Sequence, residues 1–396
     1  NQFNYNKSFN NETHQISALV GQEVKFADRQ NSRNTGVGYQ YNTGGTPFVN
    51  YLFFKKMSEQ NDVYYGMGNE YDRFVAFYAN ASYTYKNKYT ITGTVREDGS
   101  NRLGSSAAAR WLPTWTVAGV WNVDQEKFLQ ESNVLSHLML KTSYGLNASV
   151  GDATNTTAIL RSAITNRPYL TDQETAIYIA ALQNADLTWE KKYEFNLGTD
   201  VGLFKERLGF TVDYYRRNSF DLIGAIRTSG VGGQVYQFAN YADLKAQGVD
   251  VSLTGKILSN KNTSLTSTFI FSYNTTKITN AKNNPVLSDL VGEGGGALEG
   301  YPVRGLFSVQ NQGLNPKNGV PQFISDTGGV SSNVYLLSHN TQYLQYEGPT
   351  DPTITGGWSN TFRYKNFSVS ALVTYQAGNK IRLTPVYDSA YTDFNS

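Results

Sequence analysis

The sequence predicts an all-β protein, and more specifically part of a transmembrane antiparallel β-barrel with long extracellular loops. Three observations support this prediction. Apolar and polar residues alternate with a period of two along many segments, which is typical of strands with one apolar face. Short polar turns and long connections follow each other in alternation along the chain, as in outer-membrane barrels. The sequence contains no apolar run long enough for a transmembrane helix, which excludes helical membrane proteins.

The clearest hairpin lies within residues 189–220. From Tyr193 to Leu203 every second residue is apolar except Thr199, and the alternation resumes from Leu208 to Tyr214 after a polar turn. Each run has roughly ten residues, which is close to the length that crosses a bilayer at a tilt. Aromatic residues end the apolar face, as a membrane interface favours. We therefore expect a lipid-facing side with Phe195, Leu197, Phe210 and Val212, and a lumen-facing side with Asn196, Asp200, Thr211 and Asp213.

The same alternation predicts the other strands in order. A first pair lies within residues 3–20, and a clean hairpin covers 75–95 around a turn at 86–88. A weaker strand surrounds Trp115 to Trp121, residues 124–136 have the spacing of a short helical turn, and a strand follows at 139–147. Two further hairpins cover residues 249–273 and 358–375. With the hairpin at 189–220 this gives about twelve strands.

Loop lengths separate a membrane barrel from a soluble sandwich. Five connections are short and polar, and they centre near Asn11, Asn87, Lys205, Lys261 and Asn366. The connections between them are expected to run from roughly fourteen to about eighty residues, with irregular segments at 25–73, 148–188, 220–243 and 275–355. A sandwich has no reason to place every long loop at one end. Short turns on the periplasmic side and long loops outside the cell explain the pattern.

Composition narrows the class of protein. The chain has 396 residues, a formal net charge of +2 and only 17% charged residues, which argues against a nucleic-acid partner. It has 28 Tyr, 21 Phe and no Cys, as suits an exported bacterial β protein, although a soluble all-β protein fits these counts equally well. The mean hydropathy of −0.44 is compatible with a barrel, because lumen-facing residues are polar.

No residue pattern predicts catalysis, a cofactor or a metal site, so we do not expect an enzyme. The three histidines, His14, His137 and His339, are widely separated and have no partner at ligand spacing. The glycine-rich segment 292–296 lacks the Gly-Lys-Ser/Thr ending of a phosphate-binding loop. Glu194, Asp200 and Asp213 could act as paired carboxylates, but a hydrated lumen explains them without catalysis. Tyrosines in the predicted loops are instead candidates for substrate contact: Tyr169, Tyr178, Tyr236, Tyr241, Tyr335, Tyr343 and Tyr346.

A set of short motifs extends over most of residues 70–380. The motifs run from Arg96-Glu97-Asp98-Gly99-Ser100 and Leu112-Pro113-Thr114-Trp115 through Leu140-Lys141-Thr142-Ser143-Tyr144-Gly145 and Asn196-Leu197-Gly198-Thr199-Asp200 to Gly378-Asn379-Lys380-Ile381. In their sequence and order they resemble the SusC/RagA family of TonB-dependent outer-membrane transporters of Bacteroidetes. Two departures, at 107–111 and 147–149, fall at loops or strand ends and bear on substrate rather than on fold.

The resemblance implies energised import of nutrient oligomers, with oligosaccharides favoured and peptides as the second possibility. It implies a barrel of the 22-stranded size class, a SusD-like surface lipoprotein as a lid, and energy from the inner-membrane TonB–ExbB–ExbD complex. Residues 1–396 would then be one part of the barrel domain, without the N-terminal plug and the last strand. A surface adhesin and a passive porin remain alternatives on the residues alone.

Overall fold

Twelve strands form a single antiparallel sheet in the computed structural model. The structure describes residues 1–35, 39–40, 44–47, 50–59, 65–103, 110–129, 132–150, 158–166, 173–181, 184, 187–230 and 236–383. The sheet strands are β1 (Gln2–Phe9), β2 (His14–Asn34), β3 (Tyr65–Tyr85), β4 (Tyr89–Ser100), β5 (Trp111–Asn122), β6 (Leu135–Ser149), β7 (Glu190–Leu203), β8 (Leu208–Arg227), β9 (Tyr236–Ser259), β10 (Thr263–Ala281), β11 (Ile354–Tyr364) and β12 (Phe367–Ala377). This confirms the predicted number of strands and their antiparallel arrangement.

Each strand pairs with its neighbours in sequence, so the sheet is an up-and-down meander from β1 to β12. The hairpins register as the alternation predicts. In the last one, Tyr364 lies opposite Phe367, Phe362 opposite Val369, and Trp358 opposite Val373. Such continuous pairing satisfies the backbone N–H and C=O groups of every inner strand, which is the condition for a sheet to cross a membrane.

The short connections are tight turns, as predicted. Consecutive residues adopt positive φ at the β1–β2, β3–β4 and β7–β8 turns, including Asn11 (φ 50°), Asn87 (φ 55°) and Lys205 (φ 58°). The left-handed conformation matches the twist of the two strands that such a turn joins. The β5–β6 connection contains a 3₁₀ turn at Val123–Gln125, which overlaps only the start of the segment 124–136 where a short helical turn was predicted.

The two faces of the sheet differ in chemistry and in exposure. Directly opposite residues share a face, and one row carries Leu197, Tyr214, Val249, Tyr273 and Ile354. Side chains of this apolar face stay exposed: Ile91 is 56% exposed and Leu197 49%. A soluble protein rarely leaves so extended an apolar surface uncovered. The exposed apolar face therefore favours a membrane barrel over a sandwich.

Buried apolar clusters are small and lie away from the short turns. Leu103, Leu187 and Trp189 form one of them, close to the ends of β4, β6 and β7. Another group of buried residues belongs to the connection between β10 and β11 and includes Leu287, Leu290 and Phe307. These clusters hold the long connections against the sheet, while the sheet itself depends on strand pairing.

Several strands extend further than the sequence predicts. The segment 25–73 was expected to be irregular, but β2 continues to Asn34 and pairs there with β3 from Tyr65. The loop expected at 220–243 shrinks to 228–235, because β8 runs to Arg227 and β9 starts at Tyr236. The connection between β4 and β5 covers only residues 101–110. Polar residues occupy both faces of these extensions, so the period-two signal disappears while the backbone pairing persists.

The long connections carry elements of their own. These are a helix α1 (Tyr51–Glu59), a helix α2 (Leu287–Leu290), and short antiparallel strands that pair Tyr39–Gln40 with Thr46–Pro47, Ile159–Asn166 with Gln173–Ala181, Gly305–Ser308 with Gln345–Pro349, and Pro321–Ile324 with both Asn311–Leu314 and Val330–Ser331. Among the described residues, no helix has the length and apolar character needed to span a bilayer.

Bulges interrupt the regular pairing of the longest strands. The register between β8 and β9 shifts between Ser219 and Leu222. The register between β9 and β10 shifts between Asp243 and Leu244, and Leu244 lies opposite Ser219 of the first bulge. Such bulges bend a strand and increase its local twist. We call the ends of β8 and β9 that are far from the short turns their upper ends. Because of the bulges, these upper ends differ in direction from the rest of the two strands.

Adjacent residues of β8 provide a test of the face assignment. Val212 belongs to the apolar face and Thr211 to the polar face, so Val212→Arg places a charge where lipid is expected. We expect Val212→Arg to lower the free energy of unfolding by about 2–4 kcal/mol, and Thr211→Arg by much less. Denaturant titration of the full-length protein in lipid vesicles measures both values. Equal losses for the two variants would contradict the assignment.

Candidate functional site

A lysine on the polar face bridges two carboxylates of neighbouring strands. Lys141 of β6 places its Nζ atom 3.3 Å from Asp200 of β7 and 3.1 Å from Asp213 of β8. Gly198 stands directly between Lys141 and Asp213 in the strand pairing. A Cβ atom at Gly198 would overlap both side chains. The missing side chain at position 198 therefore allows the lysine to reach across a whole strand.

A second charged group lies further from the short turns on the same face. The carboxylate of Glu194 lies 2.8 Å from Lys192 and 3.2 Å from Arg217. The guanidinium of Arg217 also stacks over the ring of Tyr215, 4.2 Å from its centroid. The carboxylate of Glu194 is thus paired with two cations of the wall itself.

The extended ends of β2, β3 and β4 carry a third and a fourth group. Arg96 is paired with Glu23 at 3.0 Å and with Asp98 at 2.7 Å. Above it, Arg29 and Arg102 both contact Asp72, and Arg102 also contacts Glu70. The hydrogen bond from Arg102 is the main reason that the pKa of Asp72 lies below its usual value. These groups form a charged rim where the predicted loops begin.

A polar pocket of the loop region lies at the ends of β8 and β9 that are far from the short turns. It has a volume of about 240 Å³, and its walls include Arg227, Tyr236 and Tyr241 from the strands and Asn283, Asn284, Pro285 and Asp289 from the connection after β10. The extended ends of β8 and β9 carry Arg227, Tyr236 and Tyr241, and the helix α2 carries Asp289. The pocket therefore joins the sheet to the longest connection.

An ion pair fixes one wall of this pocket. The Nη2 atom of Arg227 donates a hydrogen bond of 2.8 Å to Asp289, and its guanidinium lies 5.3 Å from the ring centroid of Tyr236. Burial alone would raise the pKa of Asp289, but the hydrogen bonds from Arg227 and from the N–H of Val286 outweigh it and hold the pKa below its usual value. Burial also raises the pKa of the Tyr241 hydroxyl. The pocket offers a carboxylate, a guanidinium, two side-chain amides and two phenol side chains.

The structure brings together two of the seven tyrosines that the sequence singles out. Tyr236 and Tyr241 line the same pocket. Tyr178 is exposed on the hairpin strand Gln173–Ala181 and Tyr335 is exposed in the connection after β10, so neither joins them. The hydroxyl of Tyr343 is buried without a hydrogen-bond partner in the described part of the chain. Tyr169 lies outside the described residues.

The remaining candidate, Tyr346, lies in a cluster of aromatic side chains. Tyr346 packs against Tyr301 and Phe307, with ring centroids 4.8 Å and 5.5 Å away. Sequence reasoning missed Arg227, Asp289 and the two asparagines of the pocket, because no local pattern connects residues of β8 with residues that follow β10.

The histidines lie apart. His14 stacks on Phe9 with centroids 5.1 Å apart and contacts the hydroxyl of Tyr83, while His137 lies 3.7 Å from Asp124. Across the ranges that the structure describes, no three His, Asp or Glu side chains come close enough to hold a metal ion.

An antiparallel meander with an exposed apolar face and a polar face of paired charges defines an outer-membrane β-barrel protein. Residues 1–395 match the family model "TonB dependent receptor-like, beta-barrel", and the chain belongs to this family. A similar curated protein is TonB-dependent receptor P39 of Formosa agariphila, with 26% identity over 96% of this chain and 39% of that protein. TonB-dependent receptor SusC of Bacteroides thetaiotaomicron is 24% identical over 93% of this chain and 37% of that protein.

Solved structures agree with this membership. The RagAB peptide importer in its closed-closed state matches with a TM-score of 0.75 and 25% identity, over 96% of this chain and 40% of the matched chain. The chain thus spans about two fifths of the length of the relatives it matches. The resemblance to SusC and RagA inferred from the short motifs is confirmed. The protein is an outer-membrane protein, and the polar face is the lumen side of the barrel wall.

The bridge made by Lys141 gives a test of the lumen charges. Lys141→Gln leaves Asp200 and Asp213 without their shared cation, and we expect a loss of about 1 kcal/mol or less in the free energy of unfolding, since all three groups are partly solvated. The same substitution in an Asp200→Asn/Asp213→Asn background should cost almost nothing, and Lys205→Gln in an exposed turn serves as control. Denaturant midpoints of the full-length protein complete the double-mutant cycle. A Lys141→Gln cost that is the same in both backgrounds would show that the carboxylates are not its partners.

Proposed function

We propose that the protein to which this chain belongs imports nutrient oligomers across the outer membrane by an energised mechanism. The observation that carries the proposal is the pocket at the upper ends of β8 and β9, which lies on strands continuous with the barrel wall. A ligand held there contacts the transport structure itself. Family membership adds support, because the family name describes TonB-dependent receptors.

The proposed cargo is an oligosaccharide, with a peptide as the second candidate. Tyr236 and Tyr241 offer aromatic surfaces for sugar rings, and Asn283, Asn284 and Asp289 offer partners for hydroxyl groups. Peptides are favoured by the likeness to RagAB, which is described as a peptide importer. Tyr169, Tyr178, Tyr335 and Tyr343 remain proposed contacts with the cargo.

The proposed partners follow from the same family. A SusD-like surface lipoprotein would cover the long loops, and the TonB–ExbB–ExbD complex would supply energy through a plug domain elsewhere in the protein. In this proposal residues 1–396 are one part of a single barrel that further strands close, and outer-membrane lipid surrounds it. Neither a cofactor nor a nucleic acid takes part.

Uptake and gel migration separate this proposal from its alternatives. Deleting the gene for TonB should abolish uptake of the cargo, which is identified by mass spectrometry of material that co-purifies with the native complex. Uptake that continues without TonB would identify a passive porin. The folded protein should migrate differently on a gel before and after boiling. Identical migration, with no uptake in any strain, would favour an adhesin.

The pocket tyrosines give a specific prediction. Tyr236→Ala and Tyr241→Ala remove aromatic surface from the pocket, and we expect each to lower the affinity for cargo roughly tenfold. The amount of cargo that co-purifies per mole of full-length protein measures the change. The matched control is Tyr364→Ala, which removes an exposed tyrosine at the short-turn end of β11, far from the pocket. Cargo retention unchanged in both pocket variants would show that the ligand binds elsewhere.

A further inference from the structure

The apolar face of β9 and β10 ends along a single row of the strand pairing, and on β8 one further apolar side chain, Phe220, lies beyond that row. Below the boundary it carries Tyr214, Val249 and Tyr273, which lie opposite one another on the three strands. The next row on the same face is Arg216, Gln247 and Thr275. Tyr273 is 43% exposed, as is expected for an aromatic residue at a membrane interface. This boundary lies away from the short turns, and therefore at the outer leaflet.

Three cations stand just beyond this boundary. Lys245 of β9 lies directly opposite Lys277 of β10 and opposite Asn218 of β8, and Arg216 lies two residues from Asn218 on the same face. All three cations are exposed. Directly opposite residues have Cβ atoms about 5 Å apart and diagonal neighbours about 7–8 Å apart, which long side chains can span. Two like charges placed directly opposite are unfavourable unless an anion lies between them.

No carboxylate of the described chain neutralises these cations. Two other cations on the outward side of the sheet are paired: Lys191 lies 3.1 Å from Asp221, and Arg73 contacts Asp28. The carboxylate of Asp243, two residues from Lys245, accepts hydrogen bonds from the N–H of Asp221 and from Asn280 instead. Within the described residues, Arg216, Lys245 and Lys277 form no ion pair. The cluster therefore lacks the anion that its geometry favours.

We propose that Arg216, Lys245 and Lys277 bind the phosphate groups of a glycolipid of the outer leaflet. Phosphate suits arginine and lysine, because charge-assisted hydrogen bonds to it are strong and arginine can bind it with two parallel bonds. The apolar surface of Tyr214, Val249 and Tyr273 lies directly below the cations, where the acyl chains of the same lipid would pack. An anionic protein partner would gain from the cations but not from this apolar surface. The lipid matches both halves of the surface, so the cluster fixes the depth and the lipid contacts of this part of the wall.

Binding of purified lipopolysaccharide to the full-length protein tests the proposal. The variant R216Q/K245Q/K277Q removes the three cations, and K205Q/R207Q/K261Q removes three exposed cations at the short-turn ends of the same strands as a matched control. Each cation near an anionic lipid surface contributes roughly fivefold in affinity, so the test variant should bind about a hundredfold more weakly. Native mass spectrometry in detergent counts the bound lipid. The control variant should bind intact lipopolysaccharide as tightly as the unmodified protein does. Lipopolysaccharide stripped of its phosphates should bind the unmodified protein weakly, with the same affinity as intact lipopolysaccharide has for the test variant.

The other outcomes overturn the proposal. Equal binding of intact and dephosphorylated lipid would show that acyl packing alone holds the lipid. Unchanged binding by the test variant would place the lipid elsewhere. Loss of a second copy of the chain, or of a partner protein, from the complex without loss of lipid would show that the cations form a protein interface. Heat-modifiable gel migration verifies that each variant is folded, and cargo uptake is a separate measurement, so failure here leaves the proposed transport function untouched.

Discussion

The structure depends on the pairing of backbone groups between neighbouring strands. Inside a bilayer no water is available to bond an N–H or C=O group, and each unpaired group costs several kcal/mol. The continuous meander satisfies this requirement for the inner strands, β2 to β11, without help from side chains. The register then determines which side chains meet in a row and which face they share. Small buried clusters are sufficient because the sheet does not need a large core.

The same register explains how charges are accommodated on the lumen side. Ion pairs form across neighbouring strands, and small residues make room for long side chains, as Gly198 does for Lys141. Gly248 does the same for the ring of Tyr215, since a Cβ atom there would meet the hydroxyl of that tyrosine. Glycine in these strands therefore serves packing between side chains, and the wall stays polar without an excess of one charge along β6–β8.

The sequence alone was sufficient to predict the strands of the expected membrane-spanning region. It was insufficient to predict the structure of the region beyond them. Alternation in β7 and β8 predicted which residues share a face, and the strand register confirms that grouping. Above the membrane both faces meet water, so the pattern vanished between residues 25 and 34 although β2 continues there. Tyr236 and Tyr241 were predicted one by one, but their shared pocket also needs Asp289, which is 62 residues from Arg227 in sequence. Contact at that distance depends on how the connection after β10 folds back, which local periodicity does not encode.

The bulges in β8 and β9 have a consequence for how such a protein can diversify. Register shifts at Ser219–Leu222 and at Asp243–Leu244 separate the pocket from the membrane-spanning part of the same strands. Insertions, deletions or a change of twist above these positions need not alter the pairing below them. Natural selection can therefore alter the recognition surface at the strand tips while the barrel wall beneath keeps its strand register. Related proteins can then share one wall and recognise different cargo.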